Sequence, residues 1–182
     1  NDLLNEILQL AIKDASTFEL VYSSFNINDL VRHTVLQFEK IASDKKQILT
    51  IKTDYDDFNI QGDKNKLREV LENLISNALK YSPSDTMITI STSLFNSDLF
   101  RISISDKGQG FTEEDLQSIF KKFQRLSAKP TGSESSTGLG LYIVKKIVNS
   151  HNGFIYVKNN VDVGCTVTVD LPLNGHQPNS TN

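Results

Sequence analysis

Two strand-like runs, residues 86–94 and 99–106, are separated only by a polar bend at Asn96, Ser97 and Asp98. So short a connection closes a hairpin and leaves no room for a helix, so the two strands lie side by side and antiparallel. A doubly wound parallel sheet needs a crossover helix between neighbouring strands, and these two have none, so the order does not look like that fold. The remaining segments mix helices and strands. This predicts an α+β domain: an α/β sandwich with a mixed, mainly antiparallel sheet covered on one face by helices.

Hydrophobic periodicity places the other elements. Leu3, Leu4, Ile7, Leu8, Ala11 and Ile12 keep the spacing of an amphipathic helix over residues 1–16. That stripe reads either as a helix packed on its own domain or as the end of a longer helix whose partner is missing or belongs to a second chain. Residues 18–25 read as a short strand. Asn26 is placed to cap a helix through Leu30, Val31, Val35, Phe38 and Ile41. Strand-like stretches follow at residues 48–53 and around Phe58 and Ile60. Asp63 precedes a strongly periodic helix reaching about Lys80, with Glu69 and Glu72 expected on its outer face. Helical turns are expected at 112–123, a mobile loop from Ser127 to Thr137, and a helix from about Gly138 to Ser150. Two strands at 154–159 and 164–171 close the domain, and the polar tail 174–182 is expected to be disordered.

Composition narrows what such a domain does. The 182 residues carry 19 Lys and Arg against 22 Asp and Glu, a net charge of −3, which argues against a general nucleic-acid binder. Hydrophobic residues make up 38%, enough to build a core. Cys165 is the single cysteine, which excludes a disulfide framework and a zinc cluster of cysteines and fits a reducing, cytoplasmic setting. No membrane-length apolar run occurs, and no signal peptide is expected. His33, His151 and His176 lack metal-ligand spacing and are expected to be structural or surface residues.

Three clusters carry candidate chemistry. Asn73, Asn77, Lys80 and Tyr81 share a flank beside the apolar stripe of Leu67, Val70, Leu71, Leu74, Ile75 and Ala78. Asn is a poor helix-interior residue, so two of them one turn apart ask for a reason. A carboxamide oxygen is a hard neutral ligand suited to Mg²⁺, a Lys one turn on meets phosphate, and Tyr81 offers an aromatic face. Surface amides and a solvated Lys are the plainer alternative. Asp106-Lys107-Gly108-Gln109-Gly110-Phe111 follows a strand. Its glycines allow close backbone approach to a flat ligand, and its Asp can accept from an exocyclic amine. A Gly-rich turn would look the same.

The third cluster, Ser135 to Leu141, opens an apolar helix whose free N–H groups would suit phosphate, although a glycine-bearing helix start is the alternative. It is neither a dinucleotide fingerprint nor a Walker loop. Between the last two clusters, Phe120 and Phe123 would pin a loop and leave Lys122 and Arg125 to face a polyphosphate, or would form a short helix with a solvated basic face. Gly164-Cys165-Thr166 reads as a tight turn into a strand, and nothing near Cys165 in sequence marks it as a reactive thiol.

In their order, these clusters resemble the catalytic and ATP-binding domain of bacterial sensor histidine kinases, within the superfamily that includes gyrase, Hsp90 and MutL. Leu67 to Pro83 is similar to the N box, and Asp106 to Gly110 to the first glycine box. Ile119 to Arg125 is similar to the phenylalanine box, Thr137 to Leu141 to the second glycine box, and Gly164 to Thr166 to the third. The resemblance spans about residues 26–173. It implies a Bergerat-type fold and an ATP- and Mg²⁺-dependent protein-histidine kinase. Asn77 would bind Mg²⁺ with Asn73 in support, Lys80 would face phosphate, and Tyr81 would border the nucleotide. Asp106 would accept the adenine amino group in a pocket shaped by Gly108, Gly110 and Phe111. Lys122 and Arg125 would reach the terminal phosphates. Thr137, Gly138, Leu139, Gly140 and Leu141 would bind phosphates at the helix start, and Thr166 would join the nucleotide-binding set. Residues 120–137 would be the lid, and Asn73, Asn77, Lys80 and Arg125 the catalytic set.

Residues 1–17 resemble the end of the dimerisation and phosphoacceptor hairpin, and 18–25 its connecting strand. The family's phosphoacceptor box is absent, so phosphate would pass to a histidine on an upstream helical domain and then to a response-regulator receiver domain. The full-length protein would be a cytoplasmic homodimer or attached to a membrane-anchored sensor. Hydrolysing relatives carry a Glu where Asn73 stands, and an amide cannot serve as a general base, which favours phosphoryl transfer. A further difference is Ser136, at a position where the family often has glycine. Alternative readings are a catalytically silent nucleotide-sensing scaffold, a serine/threonine kinase of the same superfamily and, least favoured, an independent hydrolase.

Overall fold

A computed structural model of the chain describes residues 19–54, 57–124, 126–132 and 138–174. The predicted helix 1–16, residue 18 of the connecting strand and the tail beyond residue 174 lie outside the described residues. In chain order the elements are β1 (Ser23–Asn26), α1 (Ile27–Asp44), β2 (Ile48–Thr53), β3 (Asn59–Gly62), α2 (Lys64–Tyr81), β4 (Met87–Leu94) and β5 (Leu99–Ser105). They continue with α3 (Glu113–Ser118), α4 (Gly140–Ser150), β6 (Phe154–Asn159) and β7 (Cys165–Pro172).

The predicted hairpin forms in register Thr89↔Ser105 to Leu94↔Phe100. Its bend is an Asx turn, because Asn96 Oδ1 accepts from Asp98 N and Leu99 N, both at 2.9 Å. The five-stranded sheet has the order β2-β4-β5-β7-β6. β2 runs parallel to β4, with β3 and α2 supplying the long crossover, and every other neighbouring pair is antiparallel. Alternation sends Ile88, Ile90, Phe100, Ile102, Ile104, Val167, Val169 and Leu171 into the core under α1, α2 and α4. The opposite face is rich in hydroxyls, with Ser103 bonded to Thr168 at 3.1 Å, and it needs no cover. The mixed sandwich expected from sequence is the one observed.

Several boundaries differ from the sequence expectation. The first strand is Ser23–Asn26 and pairs with β3 in a separate two-stranded ribbon, because its partner is only as long as Asn59–Gly62. Asn26 caps α1, accepting from Asn28 N and Asp29 N at 2.9 and 3.1 Å. The turns expected over 112–123 reduce to α3, and Phe123 has φ of 55°, a left-handed conformation no helix continues through. Glu69 is not on the outer face of α2: it is half-buried, lines a cavity, and pairs with Lys66 at 3.1 Å. Of the loop expected to be mobile, residues 127–132 are described and are hydrogen-bonded to the body of the domain at several points.

Candidate active site

α2 and α4 pack side by side over the sheet and run in opposite senses. Asp63 accepts from Asn65 N and Lys66 N at 3.0 and 3.1 Å, which fixes the start of α2. The second half of α2 brings Asn73, Asn77, Lys80 and Tyr81 to one wall of a cavity of about 500 Å³. The Asn73 amide donates its Nδ2 to Glu69 O at 2.8 Å, one turn back. Its Oδ1 is thereby turned towards Gly140, where an added Cβ would lie 2.9 Å away. The Asn77 amide lies beside the same point, at 3.7 Å.

α4 starts at the cavity. Its cap position, Leu139, supplies no side-chain hydrogen bond to the first turn, where helix N–H groups lack partners within the helix. Gly138 has φ of 71°, and a Cβ there would lie 2.6 Å from Gln124 O. Only glycine meets both demands without strain, which explains why the helix begins at Gly140 and not at Gly138. Gly138, Leu139, Gly140 and Leu141 all line the cavity.

The far end is formed by the loop after β5. Asp106 is 7% exposed. Its Oδ1 accepts from Gly108 N at 2.8 Å and Cys165 N at 3.3 Å, while Oδ2 accepts from Cys165 Sγ at 2.9 Å. Burial, with Asp106 alongside, pushes the Cys165 thiol well above its ordinary range, so it stays a neutral donor. Asn159 holds the glycine loop by accepting from Phe111 N at 2.9 Å and donating to Phe111 O at 2.7 Å. Gly108, Gly110 and Phe111 join Asp106 in the cavity wall.

The cavity therefore gathers most of the residues singled out in sequence. Two of them lie elsewhere. Thr166 is not in the wall: strand alternation turns Cys165 inward and Thr166 outward, where its hydroxyl meets Ser105 Oγ at 3.0 Å and Asn160 Oδ1 at 2.7 Å. Lys122 is exposed and has its Nζ over the Tyr142 ring at 5.0 Å, so it does not line the cavity. Arg125 and Thr137 lie outside the described residues. Cys165, Gln109 and Glu69 are wall residues that sequence reasoning passed over. The alternation of the last strand was the signal for Cys165, and the position between two glycines was the signal for Gln109.

Among the described residues no group of three or more His, Cys, Asp or Glu side chains could hold a metal alone. The neutral amides of Asn73 and Asn77 instead fit an ion that shares its ligands with phosphate oxygens and water, as Mg²⁺ does. An acceptor at one end and uncapped helix N–H groups with amides at the other match a ligand with an amine-bearing ring and an anionic tail. No helix among the described residues is long and apolar enough to cross a membrane.

Comparison with known proteins agrees with this geometry. The chain is 31% identical over 176 residues to the sensor histidine kinase WalK of Bacillus subtilis, covering 96% of this chain and 29% of WalK. The catalytic domain of histidine kinase ThkA superposes with a TM-score of 0.75 at 26% identity, covering 85% of this chain and 99% of that one. ThkA in complex with the response regulator TrrA superposes with a TM-score of 0.78 at 24% identity, covering 94% of this chain and 48% of that one, a likeness of fold. The chain thus spans less than a third of the WalK protein it matches. Residues 62–175 match the family of histidine kinase-, DNA gyrase B- and HSP90-like ATPases, and the chain belongs to that family.

Proposed function

We propose that this chain is the ATP-binding catalytic part of a sensor histidine kinase, which transfers the γ-phosphate of ATP to a histidine on an upstream helical domain. From there the phosphate would pass to an aspartate of a response-regulator receiver domain. The observation that carries this reading is the single cavity with Asp106 at one end and Asn73, Asn77 and the uncapped start of α4 at the other. Asp106 would accept from the adenine amino group, and Lys80 and the α4 N–H groups would hold phosphates. Asn77, with Asn73 beside it, would hold Mg²⁺, which when bound neutralises charge on the transferring phosphoryl group. Arg125 would add a second cation near the terminal phosphates.

The likeness to WalK supports the same assignment. Residues 1–17 would end the dimerisation and phosphoacceptor hairpin, 18–25 would connect it, 26–173 would be the catalytic domain and 174–182 a tail. The full-length protein would be a cytoplasmic homodimer or attached to a membrane-anchored sensor. ATP hydrolysis is the second reading, because the Glu69 carboxylate lines the cavity. Its pairing with Lys66 at 3.1 Å disfavours a role as base.

Calorimetric titration with a non-hydrolysable ATP analogue, with and without Mg²⁺, tests the assignment. One-site binding that strengthens with Mg²⁺ and falls at least about tenfold in Asp106→Asn is expected. Phosphate transfer to a supplied phosphoacceptor domain would follow. Absence of binding at millimolar analogue would leave a fold without the activity, and steady phosphate release from ATP alone would favour the hydrolase.

A further inference from the structure

Residues 126–131 alternate between the cavity and the body of the domain. Leu126 and Ala128 line the cavity. The intervening residues are bonded to three different parts of the domain. Ser127 donates its N–H to Asp115 Oδ1 at 3.0 Å and its hydroxyl to Asp115 Oδ2. Lys129 exchanges two bonds with the Gln109 side chain: Gln109 Nε2 donates to Lys129 O at 3.3 Å, and Lys129 N donates to Gln109 Oε1 at 3.4 Å. Thr131 N donates to Lys80 O at 3.0 Å, and its hydroxyl lies 3.0 Å from both Lys80 O and Ser82 O. Period-two alternation is the habit of extended backbone, so one edge of this strap faces the ligand space and the other is fastened.

The third fastening has a thermodynamic cause that needs no ligand. The last carbonyls of α2 have no partner within the helix. Lys45 Nζ donates to Leu79 O at 2.6 Å and to Thr131 Oγ1 at 3.3 Å. Gln47 Nε2 donates to Leu79 O at 3.1 Å and to Ser82 O at 2.7 Å. Thr131 takes the carbonyl between them, Lys80 O. The strap thus completes the C-terminal end of the helix that carries Asn73 and Asn77. At the other end, Asp115 is buried, and its bonds to Ser127 and Thr112 hold its carboxyl below the usual carboxylate range.

We propose that residues 126–131 form a wall in place over the base end of the cavity before nucleotide arrives, and that Asp115, Gln109 and Thr131 are the positioning residues that hold it and set how long a nucleotide stays. The proposal rests on the nucleotide reading above for its ligand, and on the fastenings alone for its preassembly.

Two measurements on the full 182-residue chain test it. Amide hydrogen exchange without nucleotide is expected to be slowed at least about tenfold at Ser127 and Thr131 relative to an unstructured peptide. Dissociation of a fluorescent ribose-labelled ADP, followed by stopped flow, is expected to quicken about five- to tenfold in Gln109→Ala and in the near-isosteric Thr131→Val. Asp115→Asn should quicken it too, but Asp115 also completes the capping box of α3 with Thr112, so the first two variants decide. Exchange of the α2 core amides checks that each variant keeps its fold. Peptide-like exchange at Ser127 and Thr131 would overturn preassembly. Dissociation within about twofold of the unaltered chain in both variants would overturn the positioning role. Failure of the unaltered chain to bind nucleotide would remove that role together with the nucleotide reading, while the exchange result would still decide preassembly.

Discussion

α2 and α4 form one antiparallel pair with two unlike ends. At the end away from the cavity both helix termini are capped. Asp63 caps α2 and also accepts from Val21 N at 3.0 Å. His151, the C-cap of α4, is 3% exposed. Its Nδ1 donates to Ile147 O at 2.9 Å, and its Nε2 accepts from Asp63 N at 3.0 Å. The Tyr22 ring lies against it at 5.7 Å. At the cavity end, α4 has no side-chain cap and Gly140 leaves the space beside Asn73 open. The same two helices therefore place their stability at one end and their ligand donors at the other. Open donors cost little where solvent or a ligand replaces the cap, and would cost much in the core.

Three changes probe this contrast. The largest effect is expected at the open end. Gly140→Val would fill the gap beside Asn73, so affinity for the ATP analogue should fall at least about a hundredfold, about 2.8 kcal/mol, with little change in the urea midpoint. Calorimetry and urea denaturation on the same sample separate the two. At the closed end, Asp63→Ala should reverse the pattern. Loss of the cap should lower stability by about 1–2 kcal/mol while nucleotide affinity changes by less than about twofold. Equal losses of affinity and stability would show that the ends are coupled along α4, and the contrast would fail.

The smallest effect is a pH dependence at the closed end. Burial lowers the pKa of His151 below its ordinary 6.5, outweighing the upward pull of its bond to Ile147 O and of Asp63. The folded state thus favours the neutral ring, and its Nε2 can accept from Asp63 N only in that form. Stability from this group is complete above pH 6.5 and is lost as pH falls from there towards the folded value. Urea midpoints measured from pH 7.5 to 5 should decline, and His151→Gln should flatten the decline. An unchanged slope in that variant would assign the pH dependence to other groups.

Much of this molecule was legible in sequence because it is local. The period of α2, the Asn26 and Asp63 caps, the Asn96 turn and the glycine positions are settled by residues within a few places of one another. The gathering of Asn73, Asn77, Lys80, Tyr81, Asp106 and Gly138 to Leu141 was anticipated from the order of the boxes, and one cavity holds them. Thr166 and Lys122 lie outside its lining, since a turn motif does not say which strand residue faces inward and a basic residue does not say which ring it covers.

Sequence alone determined the elements, their order and the residue types at the ligand-facing positions, through periodicity, capping and turn chemistry. Only the tertiary structure decided which donors are closed and which stay open. Asp63 meets His151 across 88 positions, Asn159 meets the glycine loop across 48, and Thr131 meets Lys80 across 51. Such bonds depend on where a carbonyl or an N–H is left without a local partner once the helices pack, and that is a property of the assembled layers.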